Sequence, residues 1–380
     1  MNIRRVSIAL GIAAVASMAA QPVRSEPAVD CDAIFDRQGH GETFYEDNPS
    51  YRDPAGSLDW PAAAPSDEGI DATLLNEGID ELLAAPNALG VVVVRHGKLV
   101  AERYANGGAA DRANDIHSAS KSILSALVGI AIRDGYIEGV DQEVAAFLPG
   151  YFADAGADKS GMTIGDLLTM SSGLAWQEDL TEYVLQNDPD WVGAILARDM
   201  TGAPGETFHY STGVTHVLSA VQTAATGTGT CEFAHRHLFG PLCVTAEHWG
   251  RDPQGISSGG YNLYLTPREM AAFGQLYLQG GAWRGVQVVP AAWVAESWTA
   301  HRIVDGTYDY GYLWWLREIM GRFVAQAWGW GGQMIYVVPD LGIVVVTTSN
   351  TADDVPVLEG SDFVRHADRF VRDAVIGATP

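Results

Sequence analysis

Basic residues are scarce in this sequence of 380 residues. It has 23 Lys and Arg against 47 Asp and Glu, which gives a formal net charge of −24. A strongly negative chain repels phosphate backbones and anionic lipid surfaces. The composition therefore excludes nucleic acid as the main partner.

Cysteine is also rare, with only Cys31, Cys231 and Cys243 in the chain. In an oxidising compartment Cys231 and Cys243 are candidates for a disulfide, because the loop between them is short, and Cys31 is then left over. No Cys/His spacing typical of zinc occurs. His235 and His237 are interpreted as surface residues. The sequence thus predicts no metal ion and no cofactor.

Long apolar runs are lacking except near the start of the chain. Arg4 and Arg5 precede an apolar segment, 6–20, and small residues follow, so residues 1–25 are predicted to be a signal peptide. The run is shorter than the ~20 residues of a transmembrane helix, although an uncleaved anchor is the alternative. Paired arginines also fit twin-arginine export. Removing residues 1–25 leaves 20 basic and 47 acidic residues, a charge of −27. We expect a periplasmic or secreted protein with no membrane contact beyond export.

What the chain does contain is typical of a globular protein, with 47% hydrophobic and 18% charged residues. Apolar periodicity and turn residues predict strands near both chain ends and helices between them. The predicted strands are 89–95, 98–104, 311–317, 322–328, 334–338 and 343–348, and the predicted helices include 70–83, 118–134, 268–278, 291–297 and 361–376.

This order predicts an α+β fold in which both chain ends build one antiparallel sheet flanked by helices. Residues 66–140 and 265–380 form the predicted sheet domain, and residues 141–264 form a mostly helical inserted domain. Residues 26–65 are interpreted as an irregular extension, because they are rich in Pro, Gly, Asp and Ser.

Ser118 and Lys121 open the predicted helix 118–134, and residues three apart share one face of a helix. A serine hydroxyl needs a neighbouring base to act as a nucleophile. A lysine amine can be that base where burial disfavours its charged form, whereas arginine cannot. The chain has three lysines against 20 arginines, so a lysine here is a specific choice. The alternative interpretation is a helix-capping serine beside a solvated lysine.

Two further elements fit the same chemistry. Tyr210 precedes Ser211-Thr212, and a phenol near a lysine can transfer protons to and from a leaving group. The segment 327–333 is glycine-rich and lies between two predicted strands, where a backbone N–H can complete an oxyanion hole. Taken singly, Tyr210 also fits an ordinary core tyrosine, and the glycines fit a hairpin turn.

The order Ser-x-x-Lys, Tyr-x-polar and glycine-rich strand end resembles the superfamily of serine β-lactamases, D,D-peptidases and esterases, and within it the class-C-like branch. The resemblance covers about residues 66–378, including 167–174 and 259–270. The Gly-Trp-Gly-Gly-Gln turn at 329–333 is most similar to the group of 6-aminohexanoate-dimer hydrolases (nylon oligomer hydrolases) and family VIII esterases.

This resemblance implies a role for each motif. Ser118 is the expected nucleophile, Lys121 its base and Tyr210 the proton shuttle. The backbone N–H groups of Ser118 and Trp330 are expected to form the oxyanion hole. The residues expected to contact substrate are Trp176, Asn262, Trp328 and Gly331. The implied activity is hydrolysis of small esters or amides through an acyl-enzyme on Ser118.

Two departures from the family pattern bear on the substrate. Thr212 replaces the Asn of Tyr-x-Asn, and Ala327-Trp328-Gly329 replaces Lys-Thr-Gly. A penicillin carboxylate would then need another cation, for which Arg268 and Arg322 are candidates. A β-lactamase or D,D-carboxypeptidase acting on penicillins or peptidoglycan peptides is the alternative enzyme. A penicillin-binding-fold module with a silent serine is the alternative without catalysis.

A competing motif, G-x-S-x-G, occurs at 255–259 around Ser257. In α/β-hydrolases that motif needs a strand before it and a helix after it. The flanking residues, 251–254 and 260–262, fit neither element. An α/β-hydrolase is therefore disfavoured.

Overall fold

The computed structural model describes residues 58–153, 156–178, 187–351 and 360–380. The predicted signal peptide, 1–25, and the greater part of the predicted extension, 26–65, lie outside the described residues. Within the described ranges, no helix is both long enough and apolar enough to cross a membrane.

The strands of the described chain fall into two groups, 88–115 and 248–349. Their bounds are β1 Ala88–Arg95, β2 Lys98–Tyr104, β3 Asn114–Asp115, β4 His248–Trp249, β5 Leu263–Leu265, β6 Ala282–Trp283, β7 Val286–Gln287, β8 Arg302–Ile303, β9 Asp309–Tyr310, β10 Trp315–Ile319, β11 Arg322–Gly329, β12 Gln333–Val338 and β13 Ile343–Ser349.

Most of the helices lie between the two groups of strands. Their bounds are α1 Ala72–Leu83, α2 Ser120–Arg133, α3 Pro149–Phe152, α4 Ala157–Ser160, α5 Ile164–Leu168, α6 Trp191–Leu196, α7 Thr212–Thr226, α8 Thr230–Ala234, α9 Gly240–Leu242, α10 Pro267–Leu278, α11 Ala291–Ser297 and α12 Gly360–Arg369, with π-helical turns at His235–Phe239 and Phe370–Ile376.

The main sheet has the strand order β2-β1-β13-β12-β11-β10-β9-β8, and all its neighbours are antiparallel. β1 pairs with β13, so a strand from the first part of the chain lies beside one from the last part. The predicted α+β fold with a sheet built from both chain ends is therefore confirmed. The division into a sheet domain and an inserted domain, 141–264, stays a prediction.

Helices cover both faces of this sheet. Alternate residues of β13 contribute to two separate cores: Val344 and Val346 to one, Ile343 and Val345 to the other. The first core contains α2, α7 and α10, and the second contains α1 and the C-terminal helices. Because β1 and β13 are buried on both faces, they are nearly continuous runs rich in β-branched residues and not alternating patterns.

α2 is the central helix of the larger core, since Ser120 to Ala131 are all buried. Gly129 permits this packing: a Cβ there would come within 2.4 Å of the Trp293 ring. α2 ends at Arg133, and Gly135 follows with φ 78°, the left-handed conformation expected just beyond a helix end.

Two expectations from the sequence are wrong. The strand predicted at 311–317 begins only at Trp315, because Leu313 has a left-handed φ of 61° and its carbonyl accepts from Ser122 Oγ at 2.6 Å. Cys231 and Cys243 are not paired. Cys231 is buried at 1% exposure and disulfide-bonded, whereas Cys243 is an exposed free thiol at the end of α9. Cys31 lies outside the described residues.

Glu247 lies directly before β4, in surroundings that disfavour the charged form of its carboxyl group. Burial, reinforced by the nearby carboxylates of Glu269 and Asp111, raises its pKa to about 8. Its Oε2 is buried and has no hydrogen-bond partner among the described residues. The folded protein therefore holds a proton there that the unfolded chain releases at a lower pH.

Glu247→Gln should make the protein more stable at alkaline pH, where the parent has to bury a charged carboxylate. Stability linked to a raised carboxyl pKa is complete below the ordinary value near 4.5 and is lost as the pH rises through about 8. We expect the Gln variant to be more stable than the parent by on the order of 1–2 kcal/mol at pH 9, and nearly equal to it at pH 5. Urea unfolding at both pH values measures this, with exposed Glu318→Gln as control. An equal difference at both pH values would contradict it.

Candidate active site

Ser118 lies in a short 3-10 turn, His117–Ala119, that leads into α2. The sequence places the start of the helix at Ser118, two residues before the observed α-helix. Two hydrogen bonds hold the beginning of this turn: Ile116 N–H donates to Leu263 O at 2.9 Å, and His117 N–H donates to Asp115 Oδ1 at 2.8 Å. These bonds fix the backbone on which the serine hydroxyl is mounted.

Lys121 is 1% exposed, and its amine is surrounded by three oxygens. Nζ lies 2.8 Å from Ser118 Oγ, 3.0 Å from Thr212 Oγ1 and 3.1 Å from Gly260 O. The one-turn spacing of Ser118 and Lys121 thus brings hydroxyl and amine into direct contact. A buried amine in contact with a serine hydroxyl is an arrangement that can take its proton.

Tyr210 lies beside the same amine, with 5.1 Å between Lys121 Nζ and the centroid of its ring. It precedes α7, whose first turn is capped by Ser211 Oγ accepting from Val214 N–H at 3.2 Å. Ser118, Lys121 and Tyr210 are therefore brought together where two helices of the larger core, α2 and α7, begin.

Tyr210 is part of an aromatic wall, which consists of Tyr210, Tyr308, Trp315 and Trp328. Trp315 stacks on Tyr210 with centroids 5.6 Å apart, and lies 5.3 Å from Trp328 and 5.7 Å from Tyr308. Tyr210 and Trp328 are among the site residues predicted from the sequence, whereas Tyr308 and Trp315 are not. The dense aromatic run at 308–315 was the available signal.

The glycine-rich end of β11 meets the Ser118 turn. A Cβ on Gly329 would lie 2.2 Å from the carbonyl oxygen of Ile116, so only glycine permits this approach. Trp330 follows with half of its side chain exposed, and its ring lies 5.8 Å from that of His117. Gly331, with φ 74°, turns the chain against Thr351. The backbone of Trp330 is thereby brought to the side of the nucleophile turn.

The other two residues expected to contact substrate are packed into the protein. Trp176 is 5% exposed, and its ring lies against Gly213 at the start of α7. Asn262 is 8% exposed with a left-handed φ of 59°, and its carbonyl accepts from Gly250 N–H. Both positions shape the segments that carry Thr212 and Gly260.

Glu178 is a site residue that the sequence analysis missed. Its carboxylate accepts from Thr212 Oγ1, Thr212 N–H and the Trp176 indole N–H, each at 2.6 Å. It stands at the positive end of the α7 dipole, where an anion is favoured. Its only signal in the sequence was its position shortly after the segment 167–174.

Neither arginine proposed as a substitute for the missing lysine lies at the site, so that suggestion is wrong. Arg268 makes two hydrogen bonds to the Glu102 carboxylate, at 2.7 and 2.6 Å. Arg322 is at the opposite end of β11 from Trp328, roughly 20 Å away along the strand. Ala327 itself is completely buried in the larger core.

Ser257 is not presented as a nucleophile. It is 1% exposed, and its Oγ accepts from Cys231 N–H at 3.3 Å. It pairs through an isolated bridge with Arg251 in a loop, and not on a strand-to-helix turn. Over the described part of the chain, no group of three or more His, Cys, Asp or Glu side chains is placed to hold a metal ion.

Several known proteins resemble this chain in sequence or in fold. The family described as Beta-lactamase matches residues 76–369. A 6-aminohexanoate-dimer hydrolase of Paenarthrobacter ureafaciens is 26% identical over 69% of this chain and 72% of its own. A Bacillus anthracis structure assigned to the same activity has a TM-score of 0.68 at 20% identity, covering 84% of this chain and 89% of that one. EstCE1, a hydrolase with promiscuous acyltransferase activity, has a TM-score of 0.63 at 19% identity, covering 80% and 98%.

Gly260→Ala should displace the amine from Ser118. A Cβ at this position would lie 2.9 Å from Lys121 Nζ and 2.8 Å from Thr212 Cγ2. A shift of about 1 Å in a reacting group can cost 10²-fold in rate. We expect p-nitrophenyl butyrate turnover and labelling by a fluorophosphonate to fall by about that factor. Gly306→Ala, where nothing lies within 4 Å of the added Cβ, is the matched control. Parent-like labelling of the Gly260 variant would show that the amine contact is dispensable.

Proposed function

The chain belongs to the Beta-lactamase family and is a serine hydrolase, and we propose that it cleaves small neutral or amine-bearing esters and amides through an acyl-enzyme on Ser118. The observation that carries the proposal is the 2.8 Å contact between the buried Lys121 amine and the Ser118 hydroxyl. Its chemistry follows from the groups around that contact.

In acylation, Lys121 Nζ takes the proton of Ser118 Oγ as that oxygen bonds to the substrate carbonyl carbon. The carbonyl oxygen becomes an oxyanion, and the backbone N–H groups of Ser118 and Trp330 stabilise it. When the bond to the leaving group breaks, Tyr210 delivers a proton to the departing oxygen or nitrogen and regains one from Lys121. Water then repeats these steps in place of Ser118 and releases the acid.

The surroundings of the site favour uncharged substrates. The position of the family lysine is held by buried Ala327, and the adjacent surface is the aromatic wall. A buried carboxylate without a cationic partner costs several kcal/mol. The net charge of −24 also slows the approach of anions. The Paenarthrobacter ureafaciens relative, a 6-aminohexanoate-dimer hydrolase, supports a linear amide as one substrate class.

Two alternatives are less well supported. A β-lactamase or D,D-carboxypeptidase shares the fold, but Arg268 and Arg322 are engaged elsewhere and leave its carboxylate without a partner. A binding module with a silent serine has no need of a buried lysine in contact with the serine hydroxyl. Export is also part of the proposal: the apolar segment 6–20 supports it, and so does the disulfide of Cys231, since disulfides persist in oxidising compartments.

Lys121→Arg should be almost as inactive as Lys121→Ala, because arginine keeps the charge but cannot accept a proton. Ser118→Ala gives the residual activity with which both variants are compared, since loss of a serine nucleophile lowers kcat by a factor on the order of 10⁶. The measurement is p-nitrophenyl butyrate hydrolysis, with thermal unfolding to verify the fold. Lys98→Arg, at an exposed lysine paired with Glu68, is the control. If the Arg variant kept activity within tenfold of the parent, Lys121 would act only through its positive charge and not as a base.

The order of substrate preference tests the proposed specificity. We expect kcat/KM for p-nitrophenyl butyrate and for a linear aminohexanoate amide to exceed that for benzylpenicillin. A mono-p-nitrophenyl ester of succinate isolates the effect of charge, because it has the same leaving group and adds one carboxylate. It should react at least tenfold more slowly than the butyrate. A kcat/KM for benzylpenicillin above those for the butyrate ester and the linear amide would contradict the proposal.

A further inference from the structure

The hydrogen bonds around Lys121 restrict which way each donor can point. A charged lysine amine has three N–H donors, whereas the neutral amine has two donors and one lone pair. Its three neighbours are Ser118 Oγ, Thr212 Oγ1 and Gly260 O. For the amine to act as a base, the lone pair must face Ser118, so both remaining neighbours must accept.

Gly260 meets this requirement because a carbonyl oxygen only accepts. Thr212 does not meet it by itself, since a hydroxyl can donate or accept. If the Thr212 proton pointed at Nζ, it would occupy the lone pair that Ser118 needs. The direction of this one O–H therefore decides whether the neutral amine is aligned for catalysis.

Glu178 decides that direction. Its Oε2 lies 2.6 Å from Thr212 Oγ1, and its Oε1 accepts the N–H groups of Thr212 and Trp176. Three donors at one carboxyl group fit the carboxylate, which accepts only. The Thr212 proton is thus committed to Glu178, and its oxygen can only accept from Lys121.

We propose that Glu178 is a positioning residue, which acts through the Thr212 hydroxyl to aim the lone pair of Lys121 at Ser118. Glu178 touches neither the serine nor the amine in any hydrogen bond of this network; its effect passes through one side chain. The proposal rests on the proposed function, because it refines the role of Lys121 as the base for Ser118.

Glu178→Gln is a sharp test because its amide orientation is dictated by the site. The Thr212 and Trp176 N–H groups at Oε1 require the Gln oxygen there, so its NH₂ faces Thr212 Oγ1. That NH₂ donates to Thr212 and releases the Thr212 proton toward Lys121. We expect kcat to fall about 10- to 100-fold, the usual cost of removing a group that orients a functional one, with KM within twofold.

A double-mutant cycle tests the route through Thr212. Thr212→Val, which has no hydroxyl, should lose as much kcat as Glu178→Gln, and adding Glu178→Gln to it should cost less than threefold more. Thr212→Ser, which restores the hydroxyl, should recover most of the loss. Exposed Glu206→Gln is the matched carboxylate control. Full additivity of the two losses would overturn the proposal.

The pH profile separates positioning from simple charge. If Glu178 acted only as a negative charge that favours the ammonium form, Glu178→Gln would move the acid limb of kcat/KM to lower pH and raise activity there. We expect instead that Glu178→Gln lowers kcat/KM by a similar factor at every pH and leaves the acid limb in place. Failure of the proposed function looks different, since Ser118→Ala would then retain activity. An inactive Ser118→Ala with a parent-like Glu178→Gln would refute the positioning role alone.

Discussion

The candidate active site depends on the surroundings of one buried amine. Lys121 is 1% exposed, and a polar group at that depth destabilises the protein by several kcal/mol unless it finds hydrogen-bond partners. The partners of this amine come from three separate parts of the chain: the turn before α2, the start of α7 and the loop before β5. Each of these parts is placed by its own packing, so the amine has all its partners only in the completed structure.

Packing at Gly260 shows how closely this is done. The loop backbone approaches so near that any side chain there would collide with Nζ and with Thr212. The same loop is held against α7 by a buried hydrogen bond between His216 Nε2 and Asp252 Oδ2 at 2.9 Å, and by Gly259, which lies on the Thr215 carbonyl. The geometry of the amine is therefore a property of the α7–loop interface as much as of α2.

The sequence predicts those features of the fold and the site that depend on residues close together in the chain. The Ser118–Lys121 contact follows from helical spacing, and the strands 98–104, 322–328 and 343–348 follow from composition and turns. Glu178 could not be found in this way, because its contact with Thr212 joins positions 34 residues apart in the sequence. The disulfide expectation failed for the same reason. Short spacing placed Cys231 near Cys243, but one side chain points into the core and the other into solvent.

The pairing of β1 with β13 determines how late in synthesis the main sheet can be completed. Arg95 of β1 faces Ile343 of β13, about 250 residues later in the sequence. A ribosome has to release almost the whole chain before that pair can form, and contacts this distant in sequence form slowly. Until then β1 has no partner on its β13 side, and the Ser118 turn lacks the β11 strand end against which it rests. The Ser118 site is therefore completed only after the last strands of the main sheet have been synthesised.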